Sequence, residues 1–283
     1  MAGRRRLDAE LVRRGLARSR EHAADLVTAG RVQVSGRPSV KPATAVEASV
    51  GIVVQGEPGD DYVSRGAHKL AGALDAFGCP SDISDGGSHP DGSRDRDIAV
   101  LGRRCLDAGA STGGFTDVLL RRGAAAVVAV DVGYGQLDWR LRSDPRVAVL
   151  DRTNVRSLTP ELIAGVVDLT VADLSFISLR LVLDALTACT RDDGDLLLMV
   201  KPQFEVGRDN LGAGGVVRDP GLRSSAVRDV AAVAYERGWG VAGVTASPLP
   251  GPSGNVEYFV WLRRDATALD EDDLQHAVEE GPT

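Results

Sequence analysis

Cysteine and aromatic residues are scarce in this 283-residue sequence, with three cysteines and 4% Phe, Trp and Tyr. Cys79, Cys105 and Cys189 form no C-x-x-C pair, which excludes a compact zinc or dithiol motif and suits a reducing compartment. Long apolar runs are missing too: Ala124 to Val130 and Leu196 to Val200 are far shorter than the ~20 residues of a membrane span. No secretory leader is visible, because Arg4-Arg5-Arg6 is followed at once by Asp8, Glu10 and Arg13 instead of an apolar core. The expected location is the cytoplasm. His22, His68, His89 and His276 show no metal-ligand spacing, so no metal is expected.

What is present is a large apolar fraction, 43%, enough for one large or two smaller cores. The formal net charge of −7 hides a division. Residues 1–41 hold ten Lys or Arg against four acids, a surplus of +6, which leaves −13 for the rest. A basic module on an acidic body suggests a local grip on nucleic acid, although arginines that merely solvate small helices would give the same count.

Leu7, Leu11 and Val12 recur at helical spacing before Gly15, and a second helix is expected from the N-cap Ser19 through Ala23, Leu26 and Val27 to Gly30. Val32, Val34 and the turn Ser35-Gly36-Arg37-Pro38 then read as short strands, with Val50 to Val54 closing the module. Residues 55–61 have linker chemistry, and Cys79 to Asp97 is a second irregular stretch expected as a mobile surface loop. The expected divisions are 1–60, 61–265 and an acidic tail over 266–283 with at most one short helix around Leu274 to Val278.

Between these lies an alternation of strands and helices, implying a parallel sheet covered on both faces. The expected strands are Arg104–Leu106, Ala126–Val130, Val147–Leu150, Leu169–Ala172, Asp195–Val200, Val241–Ala246 and Val256–Leu262. The last two, joined by only residues 247–254 or so, must pair antiparallel. The first strand runs into Asp107-Ala108-Gly109-Ala110-Ser111-Thr112-Gly113-Gly114-Phe115 and then a helix, the chemistry of a nucleotide-cofactor loop. Ser111 stands where a dinucleotide fold has its second glycine, so a ligand without a pyrophosphate fits better. S-adenosylmethionine (SAM) is the candidate, with Gly109, Ser111, Thr112, Gly113, Gly114 and Phe115 in its loop. Four acids end successive strands: Asp107 beside the loop, Asp131 for ribose hydroxyls, Asp151 near an adenine and Asp173 nearest the reacting group. Singly, such residues are more often helix caps or turn residues, but four at successive strand ends after this loop point to ligand binding.

The acceptor is read partly by elimination. After the fourth strand the chain has Asp173-Leu174-Ser175-Phe176, without the Pro-Pro-aromatic signature of amino-group methylation, and no cysteine stands where a pyrimidine-attacking thiolate would. Lys201 follows a buried strand and precedes Pro202, which fixes the turn; Lys69 stands at a helix entry and Glu257 on the last strand. A ribose hydroxyl needs a group to take or steer its proton, and Lys201 is placed for that role. The competing possibility is a solvated strand-end Lys201 and a Lys69 that caps helix carbonyls or pairs with a surface acid.

The N-terminal helix–helix–sheet pattern resembles the RNA-binding domain of small-subunit ribosomal protein four, which implies Arg6, Arg18, Arg20 and Arg31 as phosphate contacts. Lys69, Asp173, Lys201 and Glu257 match in order and strand position the tetrad of FtsJ-like RNA ribose 2′-O-methyltransferases. The phrases at 64–70, 107–116, 173–179, 200–205 and 254–258 resemble the TlyA branch, whose members carry the same N-terminal domain. The resemblance implies a Rossmann-like seven-stranded α/β sheet with a small α+β RNA-binding domain. It further implies SAM-dependent methylation of cytidine 2′-oxygens in ribosomal RNA of the large and, for longer members, the small subunit, with effects on tuberactinomycin sensitivity. The alternatives are a SAM-dependent methyltransferase for an RNA base or small molecule, and a non-enzymatic haemolysin or RNA-binding assembly factor.

Overall fold

A computed structural model describes residues 4–14, 16–17, 19–39, 41–47, 50–54, 62–79, 97–251 and 253–282. The chain divides into two compact units, residues 1–64 and 65–283. The expected linker at 55–61, most of the stretch between Cys79 and Asp97, and Arg18 lie outside the described residues.

In the first unit β1 (Arg5–Arg6) pairs antiparallel with β4 (Ala45–Val46), and β2 (Val32–Val34) lies between β3 (Arg37–Pro38) and β5 (Ile52–Val54). Helix α1 (Leu7–Arg13) and helix α2 (Arg20–Thr28) pack on each other. The Ser19 hydroxyl accepts from the backbone N–H of His22 at 3.1 Å, the expected N-cap. Leu7, Leu11, Ala23, Leu26, Val27 and Val32 form the small core, so the apolar stripe seen in the sequence is the buried one.

The second unit opens with α3 (Gly66–Ala76), followed by β6 (Arg104–Ala108), α4 (Gly114–Arg121), β7 (Ala126–Val130), α5 (Trp139–Arg142), β8 (Val147–Leu150) and β9 (Val167–Ala172). It continues with α6 (Leu183–Cys189), β10 (Thr190–Val200), α7 (Pro202–Glu205), α8 (Pro220–Glu236), β11 (Gly240–Ala246), β12 (Tyr258–Arg263) and α9 (Glu271–Glu279). The seven strands run in the order β11-β12-β10-β9-β6-β7-β8, with β10, β9, β6, β7 and β8 parallel and β12 antiparallel to both neighbours.

All seven expected strands are present. β10 starts five residues earlier than expected, across a register shift between Thr190 and Asp195 that carries Asp192, Asp193 and Gly194. Strand β10 is buried on both faces: Leu196, Leu198 and Val200 join one core with α6, α8 and α9, while Leu197 and Met199 point the other way and are equally buried. Helix α8 begins at Pro220, with Asp219 capping the N–H of Leu222 at 3.1 Å. The segment from 266 buries Leu274 and Ala277 of α9 in that core, because Leu274 and Ala277 recur at i and i+3 among acids. Among the described residues no helix is long and apolar enough to cross a membrane.

Leu198 is fully buried on β10, between β9 and β12. Leu198→Ala is expected to cost about 2–5 kcal/mol of folding stability, measured by denaturant titration of the full chain.

Candidate active site

Strand β6 has β7 and β8 on one side and β9 and β10 on the other, so the chain order reverses between β6 and β9. At such a point the loops leaving the carboxyl ends of the two strands part and leave a crevice. Its rim is closely tied: Asp173 N–H donates to the Ala108 carbonyl at 3.1 Å, and Gly109 N–H to the Val130 carbonyl at 2.8 Å. Gly109 has φ +89°, and a Cβ there would stand 2.5 Å from the Asp173 carbonyl oxygen. Only glycine allows the loop this approach to β9.

Asp107 is fully buried. Its Oδ2 accepts from the Thr116 hydroxyl at 2.6 Å, and its Oδ1 has no hydrogen-bond partner among the described residues. Burial pushes its carboxyl up to about 7, opposed by the Thr116 hydrogen bond and reinforced by the charges of Asp173 and Asp131. Asp131 accepts from the backbone N–H of Ser111 at 2.8 Å with one oxygen and from Gly133 N–H at 2.6 Å with the other. It therefore holds the glycine loop to the end of β7, and the remaining lone pairs of its oxygens are what it can offer a ribose. Ser111 takes a left-handed conformation, φ 48°. Gly113 (φ +99°) packs against Leu137 and Leu141, and Gly114 begins α4. Phe115 turns inward, its ring 6.0 Å from that of Phe259, so only its backbone belongs to the loop. Thr112 accepts at its carbonyl from Asp138 N–H at 3.1 Å. Asp151 lies two strands from β6, ion-paired with Arg142 at 2.8 Å, which lowers its carboxyl below the usual range.

The four residues Lys69, Asp173, Lys201 and Glu257 form two ion pairs. Lys201 Nζ stands 2.5 Å from Asp173 Oδ1 and donates to Ser175 Oγ at 3.0 Å. Lys69 Nζ, from the first turns of α3, donates to Glu257 Oε2 at 2.6 Å in a fully buried contact. Sheet pairing explains the meeting: Asp173 follows β9, Lys201 follows β10, and Val200 is in register with Tyr258, so Glu257 precedes β12 at the same rim. Gly251 approaches so closely that a Cβ would stand 2.6 Å from Glu257 Oε1.

Ser175, Thr116, Glu205 and Asn255 were not singled out in the sequence, and each contacts this rim or its supports. Glu205 is buried and accepts from Ser178 Oγ and Leu179 N–H. Asn255 accepts from Val217 N–H at 2.8 Å and donates to the Gly215 carbonyl at 3.0 Å. The available signals were proximity to the tetrad, with Ser175, Glu205 and Asn255 within four residues of Asp173, Lys201 and Glu257, and a place inside the phrases at 107–116, 173–179, 200–205 and 254–258.

In the first unit, Arg6 and Arg20 are half exposed and both reach Asp8, at 2.8 and 3.2 Å. The Arg6 hydrogen bond leads in holding the Asp8 carboxyl at about 2. Arg31 leads into β2. Among the described residues no cluster of His, Cys, Asp and Glu could hold a metal ion.

The family model described as FtsJ-like methyltransferase matches residues 62–264, and that of the S4 domain matches residues 5–51. The chain is 59% identical, over the full length of both, to the 16S/23S rRNA (cytidine-2′-O)-methyltransferase TlyA of Mycobacterium tuberculosis. It is 37% identical to YqxC of Bacillus subtilis, described as a candidate rRNA methyltransferase, covering 97% of this chain and 93% of that protein. A solved structure from Streptococcus thermophilus, described as a candidate hemolysin, superposes with a TM-score of 0.71 at 35% identity, covering 99% of this chain and 96% of that one.

The raised carboxyl of Asp107 has a consequence for stability. Its folded value lies above its unfolded 3.8, so its contribution is fully present below about pH 4 and is lost as pH rises through about 7. The stability of the unliganded protein relative to Asp107→Asn should therefore fall by on the order of 2–4 kcal/mol between those limits, read by denaturation of both proteins at a series of pH values.

Proposed function

Because the chain belongs to the FtsJ-like methyltransferase family, in its TlyA branch, we propose that it transfers a methyl group from SAM to the 2′-oxygen of cytidine in ribosomal RNA, on the large subunit and also on the small. The observation that carries the reading is the pair of lysine–carboxylate contacts gathered at one rim of the sheet, with Lys201 fixed by Asp173 and Ser175. A SAM site is consistent with this rim: the loop from Asp107 to Gly114 lies close against β9, and one oxygen of the buried Asp107 is without a partner among the described residues. Asp107, Gly109, Ser111, Thr112, Gly113, Gly114, Asp131 and Asp151 would hold it, Phe115 only through its backbone. When bound, SAM supplies a methyl on a sulfonium sulfur, whose S–CH3 bond breaks as the O–CH3 bond forms, leaving the thioether.

The chain's own task is the ribose. Its 2′-hydroxyl is a weak nucleophile and must give up a proton as it attacks. Nζ of Lys201, held by Asp173 and Ser175, would steer or receive that proton. Lys69 gives Glu257 its own partner and so leaves Asp173 to Lys201. Orientation supplies much of the remaining rate in a displacement that demands an in-line approach. The S4 domain suits the polynucleotide acceptor, with Arg6, Arg20 and Arg31 as phosphate contacts; Arg18 would join them.

Purified protein with labelled SAM should methylate ribosomal subunits or their RNA, and the product nucleotide should resist alkaline cleavage. Lys201→Ala should lower transfer at least ~100-fold while SAM affinity changes little. Methyl found on the base would overturn the assignment. Arg6→Ala with Arg20→Ala should weaken RNA binding and reduce the slope of log affinity against log salt by about 2, measured over a salt series.

A further inference from the structure

Lys201 and Glu205 stand four residues apart, the first just before the short helix α7 and the second at its end, and both reach the same segment, the loop that follows β9. Lys201 Nζ takes its near end, at Asp173 and Ser175. Glu205 takes its far end. One carboxylate oxygen accepts from Ser178 Oγ at 2.5 Å and from Arg180 Nε at 3.3 Å, and the other accepts from Leu179 N–H at 2.8 Å. The Glu205 backbone carbonyl also accepts from the Arg180 guanidinium at 2.9 Å. Residues 173–180 are thus fastened at both ends to one stretch of five residues.

The fastened loop is not relaxed. Phe176 sits in the left-handed region, φ 64°, with its ring almost wholly exposed. A bulky residue holds that backbone only where neighbours over-determine it. Glu205 supplies the determination on one side, because a buried carboxylate accepting several hydrogen bonds is costly to displace. Ser175 immediately precedes Phe176, and its hydroxyl fixes one of the three Nζ hydrogens of Lys201.

We infer that Glu205 is a positioning residue of the methyl-transfer site: it locks the loop after β9 so that Ser175 and Asp173 aim the Lys201 ammonium. It touches neither substrate nor cofactor and acts through the loop. The inference rests on the functional reading above for its kinetic consequence and on geometry alone for its structural one.

The chain has only three lysines, Lys41, Lys69 and Lys201, so protein labelled with 15N-lysine gives three side-chain signals, and Lys201→Ala assigns the one in question. In Glu205→Gln, kcat for methyl transfer should fall about 10-fold or more while KM for SAM stays within about twofold, the pattern of a misaligned rather than an unbound reactant. The Lys201 Nζ signal should broaden or shift and that of Lys69 stay in place. Ser178→Ala, which removes the hydroxyl bond to Glu205 and the bonds that hydroxyl accepts from Arg180 but keeps the Leu179 N–H and Arg180 contacts of Glu205, should move both readouts the same way by less, and decides the matter if Glu205→Gln does not fold. Wild-type kcat with an unmoved Lys201 signal overturns the inference, as does a parallel change in kcat, KM and both lysine signals, which would mark general loosening. If the wild-type protein methylates no RNA ribose, the functional reading fails, and the Lys201 signal still tests the lock.

Discussion

The register between β10 and β12 is the constraint on which the rest of the site depends. Val200 lies opposite Tyr258 in an antiparallel pair set into a sheet whose other central pairs are parallel. A parallel strand in the place of β12 would deliver its carboxyl end to this rim and its amino end to the opposite edge. The reversed strand instead brings its amino end here, and with it Glu257. A slip of one residue would turn every β12 side chain to the other face. The burial of Tyr258, Phe259, Val260, Trp261 and Leu262 on both faces makes such a slip expensive. The hydrophobic pattern of one strand thus fixes where a carboxylate meets the α3 lysine.

The two ion pairs differ in the exposure of their carboxylates. Lys69 and Glu257 are closed off, with Glu257 fully buried, while the Asp173 side chain next to Lys201 remains 23% exposed. Burying a charge pair returns little net stability, since desolvation offsets most of the attraction. Conformational specificity is what such a pair can contribute: it ties α3 to the last strand through residues 188 apart in the sequence. The second pair is open only on its Asp173 side, since the Lys201 side chain is as buried as that of Lys69. Glu205 extends the same logic outward, with a buried charge spent on holding a strained loop.

Much of this architecture was legible in the sequence because it is written in local periodicity. Ser19 before an apolar stripe, β-branched runs such as Ala126–Val130, and the connection too short for a crossover between β11 and β12 each carry their structure in a few neighbouring residues. Three of the tetrad positions were legible for a related reason: Asp173, Lys201 and Glu257 each stand at the end of a strand, and strand ends share a rim, whereas Lys69 stands at a helix entry. Thr116, Ser175, Glu205 and Asn255 escaped because a hydroxyl, a carboxylate and an amide near a turn look alike until tertiary pairing gives them partners. Asp131 and Phe115 show the converse. A strand-end acid expected to face a ligand also holds the loop, with one lone pair of each oxygen on a backbone amide, and a loop aromatic turns into the core, since neither direction is encoded by sequence position.

The scarcity of lysine gives the site its sharpest chemical reading. Of 33 basic residues only three are lysines, and two of them are the partners of Asp173 and Glu257. Elsewhere the chain meets its need for positive charge with arginine, in surface pairs such as Arg228–Glu271 and in the Arg6–Arg20–Asp8 group alike. Arginine would hold a carboxylate at least as well, through a planar fork that never loses its proton. An ammonium differs in being compact, in turning its three hydrogens independently, and in being able to give one up. At Lys69 and Lys201 those are the properties that separate the residue present from the one the rest of the chain prefers. A site that only paired charges would have no use for them, whereas one that receives a proton from a hydroxyl beside a fixed methyl donor requires at least the last.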